Sequence, residues 1–208
     1  MSGGQPPLLQ VDGGLARITL RRPRQANRLA VGDLGVLRGL LDDVNAAAAV
    51  RVLVLAGEGR HFCSGFDLGA LGAIDAGARF GELADALEAA RPITIARLHG
   101  GVYGGASDLG LACDFRLGAP AVEMFVPAAR IGLHFYAGGL RRFVDRLGLA
   151  TAKQVLLASA DTALYQAKRG GRNRVEAAEE LPLSLENWRR KTAGLPASAR
   201  QKPVTARA

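Results

Sequence analysis

The residues best suited to chemistry lie in one glycine-rich run, ARLHGGVYGGASDLGLACDF, at residues 96–115. Glycine has no Cβ, so its two pairs, at 100–101 and 104–105, let a ligand approach main-chain N–H groups closely. The apolar spacing after the second pair predicts a helix whose first turn runs from Gly105 to Asp108. The unpaired N–H groups at a helix start suit an oxygen that gains negative charge. The same pattern also fits a turn that packs a helix on a strand.

A second glycine-punctuated loop, GEGRHFCSGFDL, occupies residues 57–68 and directly follows the apolar, β-branched stretch at 50–56. Such a stretch is typical of a buried strand, and loops after buried strands are where α/β sheets place their ligands. Two strand-to-helix loops, about forty residues apart, could each direct backbone N–H groups into one crevice. Two donors from separate loops are what an oxyanion hole requires.

The elements that position these loops alternate between strand and helix patterns. Residues 8–20 alternate around Asp12 and read as a β-hairpin, and a helix with Asp33 as its N-cap extends to about Ala47. Further elements are a helix at 74–90, strands at 93–98, 115–117 and 123–126, a short helical turn at 127–132, a helix from 138, and another at 150–158. The order predicts an α/β fold built from repeated β-β-α units.

Length and composition bound the class of protein. With 208 residues and 49% hydrophobic content, the chain can bury a core as one domain with or without a tail. The absence of a long apolar run and of a signal-peptide pattern predicts a soluble, cytoplasmic protein. Cys63 and Cys113 have no metal-type spacing, so we expect reduced core thiols and no metal site.

The net charge of +8 is concentrated in the last fifty residues. Residues 159–208 hold 10 of the 27 Lys and Arg against 5 of the 19 Asp and Glu. No aromatic side chains interleave with these basic residues in a way that would stack bases. We therefore expect no nucleic-acid partner.

Four segments in order, ITLRRPRQAN, VRVLVLAGEGRHFCSGFDL, ARLHGGVYGGASDLGLACDF and FVPAARIGLHFYAGGLRRFVDRLG, resemble the crotonase, or enoyl-CoA hydratase/isomerase, superfamily. The resemblance covers about residues 8–157. It implies the α/β spiral fold shared by ClpP and crotonases and an acyl-CoA-binding core at residues 1–158. It also implies an acyl-CoA substrate, no separate cofactor because coenzyme A is part of the substrate, no membrane partner, and a homo-oligomer, trimer or hexamer.

Carried over by position, the resemblance makes the backbone N–H groups of Phe66 and Gly105 the donors that hold a thioester oxygen and stabilise an enolate. Asp108 falls where hydratases carry their first catalytic glutamate, and Ala128 stands where the second would be. Tyr136 takes the place of a glycine that lines the acyl pocket, either as a proton-transfer group or only to fill space. The substrate-binding positions expected around these residues are Ser64, Gly65, Leu68, Gly104 and Ala128.

The other polar residues near the loops have simpler expected roles. We expect Asp67 and Asp114 to satisfy nearby backbone N–H groups. His61, His99 and His134 are expected to be spacers or packing residues rather than catalysts.

The C-terminal part departs from the family, whose members continue with helices that close over coenzyme A and build the trimer. Residues 160–175, ADTALYQAKRGGRNRV, resemble the last helix and strand of the diguanylate cyclase (GGDEF) family. The nucleotide-binding part of that family is not found upstream, so no cyclase activity is expected. Residues 159–208 are thus predicted to be an atypical basic tail, either loose or docked in place of the family's helices.

Three functions remain open from the sequence. The chain is an enzyme of enolate-type chemistry with a single acid/base, a non-catalytic acyl-CoA binder or subunit of a mixed oligomer, or an inactive homologue that folds poorly. Hydration of a double bond wants one group to activate water and another to deliver a proton. Ala128 removes one of these, and the resemblance implies that isomerases rely mainly on the same position, so ordinary hydratase or isomerase activity is in doubt.

Overall fold

A computed structural model of the chain describes residues 4–67, 69, 76–131 and 135–157. The strands are β1 (Gln5–Asp12), β2 (Leu15–Arg21), β3 (Val52–Gly57), β4 (Ile93–Leu98), β5 (Gly101–Tyr103), β6 (Phe115–Gly118) and β7 (Glu123–Phe125). The helices are α1 (Val31–Ala46), α2 (Ala76–Glu88), α3 (Gly105–Ala112), α4 (Ala137–Leu147) and α5, at residues 149–157, with short 3-10 turns at Pro23–Gln25 and Ala128–Ile131.

The strands form a five-stranded sheet in the order β1-β2-β3-β4-β6 and a two-stranded sheet of β5 and β7. The β1–β2 pair is antiparallel, as the predicted hairpin requires, and every other pair is parallel. The mixed α/β fold predicted from the sequence is therefore confirmed. Parallel strands end at one edge of a sheet, so the loops after β3 and β4 lie side by side.

Two differences from the sequence-based prediction have local causes. Helix α1 begins at Val31, two residues before the predicted N-cap, Asp33. Asp33 lies in the first turn of the helix, where its carboxylate accepts the N–H of Ala30 at 2.9 Å. Its carboxylate also forms two hydrogen bonds with Arg22, at 2.9 and 3.0 Å. Strand β5 was not predicted because it is only three residues long and lies inside the glycine-rich run.

The main core lies between the five-stranded sheet and helices α1, α2 and α3. Its side chains come from alternate residues of the strands and from one face of each helix, as the spacing predicted. A second cluster joins α3 to α4 and α5, and its buried members are Leu111, Val126, Phe143 and Ala152. Helix α4 is thereby fixed on the side of α3 that faces away from the main core.

Cys63 and Cys113 are free and buried, which agrees with the prediction of reduced core thiols. Burial in apolar surroundings raises the pKa of each thiol to about 12. Among the helices in the described residues, none is long and apolar enough to cross a membrane.

The predicted tail, its boundary near residue 158 and the stretch similar to diguanylate cyclases lie outside the described residues. Leu68 and His134 lie outside them as well.

The buried side chain of Asn27 ties the turn before α1 to the loop after β3. Its amide nitrogen lies 2.8–3.1 Å from the carbonyl oxygens of Glu58, His61 and Phe62, and its amide oxygen accepts the N–H of Arg22 at 2.8 Å. Asn27 has a φ of 53°, a left-handed conformation that asparagine tolerates better than most residues. One side chain thus sets the path of the loop after β3.

We expect Asn27→Ala to lower the free energy of unfolding by about 3 kcal/mol, because each buried carbonyl left without a donor costs on the order of 1–3 kcal/mol. Urea unfolding followed by circular dichroism measures the change. Asn45→Ala is the matched control: Asn45 also accepts a backbone N–H, from Arg91 at 2.8 Å, but at an exposed site. A loss at Asn27 no larger than that at Asn45 would contradict this role.

Candidate active site

The two glycine loops are joined by backbone hydrogen bonds. The N–H of Phe62 donates to His99 O at 2.9 Å, the N–H of Cys63 donates to Gly101 O at 3.3 Å, and the N–H of Tyr103 donates to Cys63 O at 3.0 Å. This is short parallel pairing, which continues the arrangement of β3 beside β4. The two loops therefore lie side by side, and a shared crevice between them stays a prediction.

The closest approach of the two loops is at Gly65. A Cβ added to this residue would lie 2.8 Å from Tyr103 O and 3.1 Å from Gly105 N. The φ of Gly65 is +88°, a conformation that residues with a side chain rarely adopt. Only glycine therefore allows the chain before Phe66 to pass this close to the start of α3.

The N–H groups of Phe66 and Gly105 are available at this junction. Leu29 and Phe66 form a parallel β-bridge, in which the N–H of Leu29 donates to Gly65 O and the N–H of Asp67 donates to Leu29 O, each at 2.9 Å. The N–H of Phe66, between them, therefore points away from Leu29. Gly105 is the first residue of α3. Within the described residues, neither of these two N–H groups donates to a protein acceptor.

Asp108 lies in the first turn of α3 and is completely buried. Its carboxylate forms a two-point ion pair with Arg142 of α4, whose Nε lies 2.9 Å from Oδ1 and whose Nη2 lies 2.7 Å from Oδ2. The hydroxyl of Tyr136 donates a short hydrogen bond to the same Oδ2. The structure thus brings together Asp108 and Tyr136, the two catalytic candidates, and places Tyr136 on the more accessible side of the pair.

The environment of Tyr136 keeps its hydroxyl protonated. Burial, the charge of Asp108 and the hydrogen bond to Asp108 all raise the pKa of Tyr136 well above its usual value, and Arg142 opposes them only in part. Tyr136 is therefore a proton donor toward Asp108 at neutral pH.

Aromatic rings surround the candidate residues. Phe80 of α2 lies with its ring centroid 6.4 Å from that of Phe66 and 6.3 Å from that of Tyr136. A Cβ added to Gly105 would come within 2.6 Å of the Phe80 ring, so Gly105 is also required for this packing. Phe135 stacks on Tyr136 at 5.5 Å. The result is an apolar wall that contacts three of the predicted site residues.

The sequence did not identify Phe80 or Arg142 as site residues. Phe80 was one apolar position among several on α2, and Arg142 was one of three arginines in the stretch that forms α4. The available indication was its place in the sequence beside Phe143, since Gly139, Arg142 and Phe143 are the buried residues of α4.

Other predicted residues have structural contacts. Asp114 accepts both the N–H and the hydroxyl of Thr94, at 2.8 and 2.9 Å, and Asp67 accepts the N–H of Gly69 at 3.1 Å. Both contacts confirm the predicted capping roles. Ala128 is half-buried and packs against the second hydrophobic cluster.

The remaining loop residues fix the backbone. The N–H of Ser64 donates to Ala26 O at 2.8 Å, and the N–H of Gly104 donates to Phe125 O at 2.7 Å. Nδ1 of His61 accepts the N–H of Gly101 at 2.9 Å, and Nε2 of His99 lies 3.0 Å from Gly59 O. The two histidines are bound to backbone groups of the loops, as expected for packing residues.

Chemically, the arrangement offers two backbone N–H donors at the junction of the loops, with the positive end of α3 beside them. A tyrosine whose hydroxyl donates to a buried carboxylate packs against Phe80, whose ring also packs against Phe66. This combination can bind a carbonyl oxygen, stabilise negative charge on it and exchange a proton with a neighbouring carbon.

Comparison with known proteins gives a consistent result. A family model described as enoyl-CoA hydratase/isomerase matches residues 10–201. The chain is similar to YngF of Bacillus subtilis (strain 168), with 30% identity over 167 residues that cover 76% of this chain and 63% of the relative. It is 32% identical to enoyl-CoA hydratase ACTT6 of Alternaria alternata over 150 residues, which cover 70% of this chain and 50% of that protein.

A solved structure, enoyl-CoA hydratase from Bacillus anthracis, matches with a TM-score of 0.68 and 29% identity, covering 73% of this chain and 62% of that one. This likeness confirms the crotonase-like fold expected from the sequence. The chain spans less than two thirds of the length of each of these three proteins. None of the comparisons supports the diguanylate cyclase-like stretch, which stays a prediction.

The ion pair of Asp108 leads to a stability prediction. Asp108→Ala leaves the buried guanidinium of Arg142 without its main partner, and breaking a buried pair in this way costs about 3–5 kcal/mol. The neighbouring Arg141 pairs with Asp145 at 3.2 Å on the exposed surface. Asp145→Ala is therefore the matched control, with an expected loss of about 0–1 kcal/mol. Chemical denaturation of both variants decides, and equal losses would contradict the prediction.

Proposed function

Because this chain belongs to the enoyl-CoA hydratase/isomerase family, we propose that it binds an acyl-CoA thioester and stabilises the enolate form of the acyl group. The N–H groups of Phe66 and Gly105 receive the thioester oxygen. The observation that supports the proposal is the close approach at Gly65, where a Cβ added to the loop that bears Phe66 would lie 3.1 Å from Gly105 N.

The chemistry of an enolate fits these donors. When a proton leaves the carbon next to a thioester carbonyl, negative charge develops on the carbonyl oxygen. Backbone N–H groups that are already fixed in place stabilise that charge without reorganising, and the first turn of α3 adds its positive dipole. Coenzyme A is part of the substrate in this proposal, so the reaction needs no separate cofactor.

Tyr136 and Asp108 supply a route for the proton. Tyr136 Oη takes the proton from the substrate carbon while its own hydroxyl proton passes to Oδ2 of Asp108. The electron pair of the C–H bond becomes the carbon–carbon double bond of the enolate, and the charge moves to the thioester oxygen. Asp108 is completely buried, so it acts through Tyr136 rather than on the substrate directly.

The proposed activity is proton exchange next to the thioester, not the hydration of a double bond. Ala128 has no ionisable group and packs against the second hydrophobic cluster. Among the described residues, Tyr136 and Asp108 act together on one proton, whereas hydration needs two separate groups, one to activate water and one to deliver a proton.

A second function, non-catalytic binding of acyl-CoA, is favoured by one observation. Both oxygens of Asp108 are already engaged by Arg142 and Tyr136, which leaves the carboxylate well satisfied as an anion. In this case the two N–H groups hold the thioester and no proton moves. Membership of a homo-oligomer and a cytoplasmic location stay predictions.

The role of the Gly105 N–H can be isolated with two variants in a Phe80→Ala background, where the ring atoms nearest an added Cβ are absent. Gly105→Ala keeps the N–H, and Gly105→Pro removes it at a first helical position that accepts proline. We expect the proline variant to exchange the α-protons of butyryl-CoA in deuterated buffer more slowly, by on the order of 10²–10³-fold. Equal rates in the two variants would contradict the proposed oxyanion hole.

Removing the Tyr136 hydroxyl tests the proton route. We expect Tyr136→Phe to slow α-proton exchange by on the order of 10²–10⁴-fold while butyryl-CoA binding, measured by calorimetry, stays within a small factor of wild type. Asp108→Ala should show a comparable loss of exchange. If wild type binds butyryl-CoA without exchanging its protons, the second function is correct. If it does not bind, both functions are wrong.

A further inference from the structure

Arg142 is a completely buried guanidinium at the meeting point of three helices. From α4 it reaches Asp108 of α3 through Nε and Nη2, at 2.9 and 2.7 Å. Its third nitrogen, Nη1, lies 2.5 Å from Asp85 and 3.0 Å from Glu88, both on α2. The guanidinium carbon is 6.0 Å from the centre of the Tyr136 ring. Every nitrogen of the guanidinium is therefore engaged.

This geometry uses properties that only arginine has. The planar guanidinium presents its donors in a rigid fork, so that one edge can bond both oxygens of a carboxylate while another nitrogen bonds elsewhere. A lysine ammonium in the same place could not maintain both sets of contacts. Burial alone would lower the pKa of Arg142, but the hydrogen bonds to Asp108 and Asp85 outweigh that effect and raise it. The side chain is thus a permanent buried cation.

We infer that Arg142 is a positioning residue for the Tyr136–Asp108 pair: it fixes the plane of the Asp108 carboxylate so that Oδ2 faces the Tyr136 hydroxyl. The inference rests on the proposed function for its catalytic meaning. The two-point ion pair leaves the carboxylate no freedom to rotate, and Oδ2 accepts both Nη2 of Arg142 and the hydroxyl of Tyr136. The position of Oδ2, fixed by Arg142, then determines the orientation of the Tyr136 hydroxyl.

Helix α2 takes part in the same arrangement. Asp85 and Glu88 hold Arg142 from the side opposite Asp108, and Phe80, one and a half turns earlier on α2, packs against Tyr136 and Gly105. Glu88 also bonds the exposed Arg141, and its pKa is lowered by the two arginines although burial alone would raise it. The position of Arg142 therefore depends on α2 being seated on α3 and α4.

A spectroscopic readout separates positioning from a merely structural ion pair. The chain has three tyrosines, so labelling the ζ carbon of tyrosine with ¹³C gives three resonances, and Tyr136→Phe identifies that of Tyr136. This resonance reports the hydrogen bond of the hydroxyl to Asp108. Arg142→Lys keeps the charge but loses the fork, so we expect the Tyr136 resonance to shift and the other two to stay in place.

Arg141→Lys is the matched control, because Arg141 bonds Glu88 and Asp145 but not Asp108, and it should leave all three resonances unchanged. A folded Arg142→Lys variant with an unshifted Tyr136 resonance would overturn the inference. If this variant does not fold, Asp85→Asn replaces it, since the side chain of Asp85 is 59% exposed and tolerates substitution. It should shift the Tyr136 resonance by a smaller amount, and no shift overturns the inference.

Kinetics test the catalytic meaning separately. We expect Arg142→Lys to slow α-proton exchange of butyryl-CoA by on the order of 10²-fold through misplacement of the reacting group, with an unchanged KM. A wild-type protein that gives no exchange contradicts the proposed enolate chemistry, and the Tyr136 resonance still decides whether Arg142 positions the pair. A shifted resonance with an unchanged exchange rate overturns the catalytic role of the positioning.

Discussion

The contact between Gly65 and the first residue of α3 is the constraint on which the candidate site depends. Because Gly65 has no side chain, the backbones of the two loops come so close that an added Cβ would collide with Tyr103 O and crowd Gly105 N. The pairing of β3 with β4 brings the loops into register, and the side chain of Asn27 donates to carbonyl groups of the loop after β3. The β3–β4 pairing, the turn that carries Asn27 and the missing side chain of Gly65 together place the two N–H groups at one junction.

The backbone and side-chain parts of the candidate site have separate proposed functions. The backbone N–H groups are the proposed binding groups, and they are fixed by secondary structure. The side chains of Tyr136, Asp108 and Arg142 form a charged chain through the packed interior of the helices, which is costly because ions lose their hydration there. Buried ion pairs of this kind contribute little to stability compared with apolar residues of similar size. Their presence is easier to explain by the orientation that they impose on Tyr136 than by any gain in folding free energy.

The sequence predicted the backbone part of the site better than the side-chain part. Strand and helix periodicity located both loops, and the glycines at 65 and 105 stand where a side chain would collide with a neighbour. The pairing of Asp108 with Tyr136 could be listed as two candidates but not as a contact, because 28 residues separate them. The burial of Arg142 could not be predicted from its stretch of charged residues, because periodicity does not distinguish a buried cation from a solvated one. Asp33 was misassigned because its pairing with Arg22 is a tertiary contact.

The partners of Asp108 among the described residues have a kinetic consequence. Both lie later in the chain, 28 and 34 residues after Asp108. During synthesis from the N-terminus, β1 to α3 are complete before either partner has been made. Until α4 arrives, burying the first turn of α3 would leave a bare carboxylate in the interior, at a cost of several kcal/mol. We therefore expect α3 to dock only when α4 is available, so that the sheet forms first and the hydrogen bond between Asp108 and Tyr136 forms among the last native contacts.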